Sequence, residues 1–205
     1  MELLMPQFSP ASISRREIWL VGEVSEEALT SLISSVTAIM DRSEKEPITI
    51  FVHSPGGDVE IGLGIAAVLE ALSVPLITVG VQSVHSAAFS VFMAGHIRLA
   101  YPNTSFLVHA ITFGTYSDLE NNKETTRFID ELMNQEAKRL ASRTKWPADK
   151  WQQLLSGTGT GKFFSLDTML EAGAVHSVVT YPEVRAKAAE AANREAQPIS
   201  HRVKG

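Results

Sequence analysis

Two hydrophobic patterns alternate along this chain, and they predict strands and helices in turn. Glu17-Ile18-Trp19-Leu20-Val21-Gly22 is a short apolar run ending at glycine, which predicts a strand. Ser25 then opens a helix in which Leu29, Leu32, Ile33, Val36, Ile39 and Met40 recur at three- and four-residue steps, one buried face, until Glu44-Lys45-Glu46-Pro47 breaks it. The β-branched run Ile48–His53 predicts a strand buried on both faces. Ser54-Pro55-Gly56-Gly57 reads as a turn, followed by a helix with Ile61, Ile65, Val68, Leu69 and Leu72 on one side. Leu76–Gly80 is the next strand, a third helix begins near Ser86, and His96–Tyr101 and Phe106–His109 are further short strands.

Strands alternating with helices imply right-handed crossovers and a mainly parallel sheet, an α/β fold. From Leu119 to about Thr144 runs a long charged helix with Phe128, Ile129, Leu132, Met133 and Leu140 on one side. So polar a helix is expected at the periphery, its apolar stripe meeting something else, such as another subunit. A further helix starts near Ser165 and stops at Gly173, Val178-Val179 is a candidate last strand, and Pro182–Ala196 is an Ala/Glu-rich surface helix before a tail that is expected to fray. The domain reading is an arm over residues 1–16, one domain over 17–181 with a projecting handle over about 112–145, and a C-terminal helix and tail over 182–205. The 205 residues suit a single domain, and neither repeats nor low-complexity tracts interrupt them.

Composition narrows the chemistry. A net charge of −5 supplies no basic surplus for a phosphate backbone, which argues against nucleic acid as partner. The absence of cysteine removes disulfides, thiol nucleophiles and Cys-based zinc sites. The start Met1-Glu2-Leu3-Leu4-Met5-Pro6 has neither the basic opening nor the apolar run of a signal peptide, and no stretch reaches the ~18 apolar residues of a membrane span. The expectation is a cytoplasmic protein without a membrane partner. The six histidines form no H-E-x-x-H or similar spacing, so no metal site is expected. Gly157–Lys162 lacks the spacing of a phosphate-binding loop, and no nucleotide or other cofactor is expected.

Three features could carry chemistry, and each has a plainer reading beside it. Gly56-Gly57, between a strand and a helix, could present bare N–H groups to an oxyanion, or could simply make a tight turn. Ser86 could be a nucleophile at a helix start, although a serine there is more often an N-cap. His109, at the carboxyl end of a strand where sheet ligands collect, could accept a proton near neutral pH, or could be an ordinary side chain. His53 and His85 are read as structural.

Taken in order, these features resemble the proteolytic subunit of Clp protease over roughly residues 15–180. The landmarks are a first strand ending Val21-Gly22, then Ser54-Pro55-Gly56-Gly57 with Val59. Ser86 follows in a helix closed by Ala94-Gly95, then Pro102-Asn103-Thr104 leading into Phe106-Leu107-Val108-His109, and finally Phe163-Phe164-Ser165 through Glu171-Ala172-Gly173. The resemblance implies a ClpP/crotonase-like fold of repeated β-β-α units with a protruding helical handle. It implies a serine endopeptidase in which Ser86 attacks a peptide carbonyl, His109 takes its proton, and the Gly57 and Ala87 amides hold the oxyanion. It also implies polypeptide substrates, stacked heptameric rings of identical subunits and an AAA+ unfoldase partner. The sequence departs from the family in two places. The catalytic aspartate's position falls on Gly161, with no acid anywhere in 156–161, and about sixteen residues precede the first strand where the family has more. Gly161 and the short start keep a second reading open, a weakened or inactive Clp-like subunit with a structural or regulatory role. An acyl-CoA enzyme of the related crotonase family is a third.

Overall fold

Alternate residues of two central strands enter two separate cores, and this decides the architecture. In Ile48–Gly57 (β2), Ile50 and Val52 join one apolar cluster while Phe51 joins another; in Leu76–His85 (β3), Leu76 and Ile77 divide in the same way. A strand sends successive side chains to opposite faces, so these strands are covered on both sides. The computed structural model describes residues 14–43, 45–111, 119–156 and 161–195. The expected N-terminal arm up to residue 13, the start of the handle over 112–118 and the tail from 196 lie outside them.

Among the described residues, seven strands form one sheet. Glu17–Val24 (β1), β2, β3, Ile97–Ala100 (β4) and Ser177–Val178 (β7) lie side by side and run parallel. Ser105–Val108 (β5) pairs parallel with the far end of β3, and Lys162–Phe164 (β6) pairs antiparallel with β5. The connecting helices are Glu26–Met40 (α1), Val59–Glu70 (α2), Ala87–Phe92 (α3), Leu119–Ser142 (α4), Ala148–Leu155 (α5), Leu166–Glu171 (α6) and Tyr181–Glu195 (α7). Side-chain caps start several of them: Ser25 accepts from Ala28 N–H, Asp58 from Ile61 N–H and Ser165 from Thr168 N–H. Each cap satisfies a donor that has no acceptor within its helix. No helix among the described residues is long and apolar enough to cross a membrane.

Three sequence expectations change, and one helix was not anticipated. Ser54–Gly57 is not a separate turn but the last part of β2. The strand expected over 76–80 runs on to His85, through an irregularity where Val52 pairs with Gly80 and Ser54 already pairs with Val84. Such extra residues bend a strand and re-aim its remaining side chains. Residues 148–155 form α5, whose Trp151 is fully buried and donates its indole N–H to Thr144 Oγ1 at 2.9 Å. The apolar stripe of α4 is covered mainly by the chain itself. Met133, Ala137 and Leu140 lie in the main core, while Phe128 remains 53% exposed.

The second core is smaller. Val184 and Ala188 of α7 pack on Phe51, Ile77, Val79 and Leu99. At its edge Trp19 stacks on Phe51 with centroids 4.3 Å apart, and the Tyr181 hydroxyl donates to the Glu17 carboxylate at 3.0 Å. These contacts tie the start of α7 back to β1.

Two buried arginines gather chain ends that would otherwise leave carbonyls unsatisfied. Arg16 donates to the carbonyls of Ile39, at the close of α1, and of Glu46 and Pro47, just before β2. Arg98, 4% exposed on β4, donates to the carbonyls of Gly95, Arg143, Gly173 and Ala174 at 2.7–3.0 Å, joining the ends of α3, α4 and α6. Helix C-termini carry partial negative charge, so these carbonyls attract a cation without any carboxylate. Burial, helped by Arg143 and Arg139, pushes Arg98 down to about 10, which leaves it charged at neutral pH. His176 adjoins it: Arg98 N–H lies 3.1 Å from Nδ1, and an Arg98 guanidinium nitrogen lies 2.9 Å from Nε2. Both partners can only donate, so the imidazole must be neutral here, and it then accepts at one nitrogen at a time.

Arg98→Met is expected to lower unfolding stability by about 3–5 kcal/mol, read from urea midpoints, because four buried acceptors lose their donor. His176 is pushed below its ordinary value of 6.5, first by burial and then by Arg98. The unfolded chain therefore binds its proton more tightly, so stability is complete above about pH 6.5 and falls as pH drops towards the folded-state value. Urea midpoints at descending pH should show this fall, and His176→Asn should flatten it.

Candidate active site

The candidate site lies where β2, β3 and β5 end, on the carboxyl side that open α/β sheets use for ligands. The irregular end of β3 delivers Ser86 directly to the start of α3. Ser86 has φ 54° and ψ −128°, a backbone rarely adopted by residues with a Cβ, and its side chain caps nothing. An N-cap serine has extended dihedrals and accepts a backbone N–H, so the capping role expected to be commonest for Ser86 does not hold. Its own N–H donates to the Leu107 carbonyl at 2.8 Å, which fastens the turn to β5. Strain of this kind costs about 1–3 kcal/mol and recurs at strand-to-helix turns that present a serine hydroxyl.

Glycine makes the turn possible. Gly56 has φ +99°, and a Cβ on it would lie 2.5 Å from Ser86 Cβ and 2.8 Å from the His85 carbonyl oxygen. Gly57, at φ +153°, would drive a Cβ into the Val24 carbonyl oxygen. Only a residue without a Cβ can approach its neighbours so closely. The fully buried Ser54 accepts the Gly56 N–H at 3.1 Å, which ties the bent segment to its own strand.

His109 follows β5. Its Nδ1 lies 2.6 Å from the carbonyl oxygen of Ala110. A carbonyl only accepts, so Nδ1 carries a hydrogen, and in the neutral imidazole the lone pair is then on Nε2. Gly57, Ser86, Ala87 and His109 all line one cavity of about 410 Å³, whose wall is completed by apolar side chains including Phe89, Ile129, Leu132 and Met133. Among the described residues no carboxylate bonds to His109. Gly161 lies against it instead: a Cβ there would collide with His109 Cβ, lie 2.9 Å from Leu107 Cδ1 and 3.1 Å from His109 Cγ. Asp167, the nearest acid downstream, sits in the first turn of α6 beside a different hollow, next to Pro102 and Asn103.

The other two histidines are otherwise engaged. Ser105 Oγ donates to the Gln82 carbonyl at 3.0 Å and so accepts from His85 Nε2 at 2.9 Å. Burial, and then nearby His53, push His85 below the usual imidazole value. His53 Nδ1 meets the Val81 carbonyl at 2.9 Å.

Sequence reasoning missed a polar cluster beneath the cavity. Ser90 of α3 donates to Glu136 of α4 at 2.8 Å, and Arg139 donates to the Glu136 carboxylate at 2.6 and 2.9 Å and to the Ser90 carbonyl at 2.9 Å. Glu70 at the end of α2 accepts from Arg139 and pairs with Arg143 at 3.0 Å. Glu136 is only 3% exposed and lines the cavity. Burial draws the Arg139 guanidinium down, but the Glu136 and Glu70 carboxylates outweigh it, and the net shift is upward. One signal was available: Glu136 falls on the stripe of Leu132, Met133 and Leu140, an acid at the three- and four-residue spacing of an apolar face.

A covered, crossover-wound parallel sheet with a small antiparallel extension at the site defines an α/β protein of the ClpP/crotonase-like kind. The sequence model of the Clp protease family matches residues 8–182, and the chain belongs to that family. It is 25% identical over 169 residues to an ATP-dependent Clp protease proteolytic subunit 2 of Treponema pallidum, covering 82% of this chain and 83% of the relative. It is 29% identical over 170 residues to proteolytic subunit 3 of Rhizobium etli, covering 80% and 84%. The match to subunit 2 of Treponema denticola is 30% identical over 110 residues and spans 53% of each chain.

Glu136→Ala is expected to cost about 1–3 kcal/mol in urea unfolding, since it removes the buried acceptor of Ser90 and one of the two carboxylates that pair with Arg139. Ser90→Ala should cost about 1 kcal/mol, and a double-mutant cycle between the two should return a coupling of about 0.5–3 kcal/mol.

Proposed function

We propose that this chain is the peptide-cleaving subunit of a Clp-type protease, with Ser86 as nucleophile and His109 as general base. The observation that carries the reading is the strained, non-capping Ser86 turn opening into the same cavity as His109. As Ser86 Oγ bonds to the peptide carbonyl carbon, its proton passes to His109 Nε2. The carbonyl oxygen gathers negative charge beside the N–H groups of Gly57 and Ala87, and the first-turn amides of a helix have no partner within it. Collapse of the adduct breaks the C–N bond, the imidazolium protonates the leaving amine, and water later releases the acyl group by the reverse route. The apolar cavity wall favours polypeptide segments with apolar side chains. Assembly into rings of identical subunits and feeding by an AAA+ unfoldase complete the proposal, supported by the family and by relatives named as ATP-dependent proteolytic subunits.

A fluorophosphonate probe should label Ser86 in the folded protein, as seen by peptide mass mapping. Ser86→Ala should lower peptide cleavage by about 10⁴-fold or more without altering the unfolding midpoint greatly. Failure of the probe to label folded protein would defeat the reading. Gly161, with no carboxylate on His109, favours a second one, an inactive partner in mixed rings. Native mass spectrometry after co-expression with an active paralogue would then show mixed assemblies.

A further inference from the structure

We infer that the main-chain carbonyl of Ala110 acts as the orienting third member for His109, so that the site runs as serine, imidazole and backbone carbonyl. The inference rests on the peptidase reading above for its chemistry, though not for its geometry. Three observations support it. His109 Nδ1 and Ala110 O are 2.6 Å apart, a short hydrogen bond for a nitrogen donor. That contact fixes the tautomer by itself, because a carbonyl oxygen has no proton to give. And the space a carboxylate would need is already filled: β6 pairs with β5 as Val108 with Lys162, which brings Gly161 alongside His109, where even a Cβ would collide with the histidine's own Cβ.

The division of labour comes from charge. An orienting group must hold the imidazole in the tautomer whose Nε2 can accept the serine proton, and must favour the imidazolium once it forms. A carbonyl does the first by the same rule as a carboxylate, since both only accept, though through a weaker bond. It does the second less well, since it offers a dipole in place of a full charge. Ala110 is therefore a positioning residue, and it acts through its backbone. The expected enzyme is correctly aligned but slow. No alanine scan reports on this residue, since its side chain is not the active part.

The test combines a direct view of the proton with a change at the carbonyl. In the full chain labelled with ¹⁵N-histidine, at about pH 8 where imidazole is neutral, His109 should show a protonated Nδ1 and a bare Nε2, with His109→Gln used for assignment. A proton on Nε2, or an averaged mixture, overturns the inference. Replacing Ile111 by its α-hydroxy acid keeps the side chain and turns the Ala110 amide carbonyl into a weaker ester acceptor. This should loosen the tautomer preference and lower kcat about three- to tenfold with KM little changed. No change in either quantity also overturns it. Gly161→Asp should lose activity alongside Gly161→Ala; a gain with aspartate alone would show that a carboxylate is wanted there after all. The two readings separate cleanly. Labelling of Ser86 by the fluorophosphonate with the wrong tautomer defeats only the carbonyl's role. The right tautomer without labelling defeats the peptidase and leaves the carbonyl's hold on His109 standing.

Discussion

The candidate site depends on the close approach of two backbones, that of Gly56 at the end of β2 and that of Ser86 at the end of β3. The separation admits no side-chain carbon on the glycine. It accounts for the unusual dihedrals of Ser86, the hydroxyl's freedom from capping and the direction in which α3 departs. The parallel sheet supplies the force that holds the two strands so near. Their shared residues are fully buried on both faces, and each large apolar side chain there is worth about 1.5–3 kcal/mol. A few such side chains are enough to hold the strained turn in place.

Support for the turn comes from polar groups that the apolar core alone could not supply. Glu136, Arg139 and Ser90 fix α4 to α3, and Glu70 links both to α2. On the other side of α3, Arg98 closes its C-terminus together with those of α4 and α6. The short helix that begins at Ser86 is thus fastened at several points by charge-assisted hydrogen bonds, which are stronger and more directional than contacts between neutral groups. In such a cluster each polar group depends on several others, so its members act together rather than singly.

Much of the fold was legible in the residues. The stripes of α1 and α2, the β-branched run of β2 and the caps Ser25 and Ser165 all act locally, and local signals survive in a sequence. The long reach of β3 to His85 was not legible, because Val81–His85 mixes polar and apolar residues and its strand pairing is irregular. Nor was α5, a short helix whose identity comes from Trp151 sinking into a core built by other elements. At the site, the residue types of Ser86 and His109 were visible, as was the absence of acid near Gly161. Two things could not be read: whether Ser86 caps its helix, which depends on two backbone angles, and the partner of His109, which depends on a neighbouring carbonyl. The apolar face of α4 also misled: an amphipathic helix states that it will be covered, not by whom.

The packing of Gly161 bears on how this protein can change over generations. Under the proposed chemistry, a single change to aspartate would bring the missing charge and at the same moment crowd the imidazole. Room for a carboxylate would require the backbone leading into β6 to retreat first. Sterics therefore stand between this glycine and an acidic replacement, so charge and fit at this one position cannot both be met without a shift of backbone.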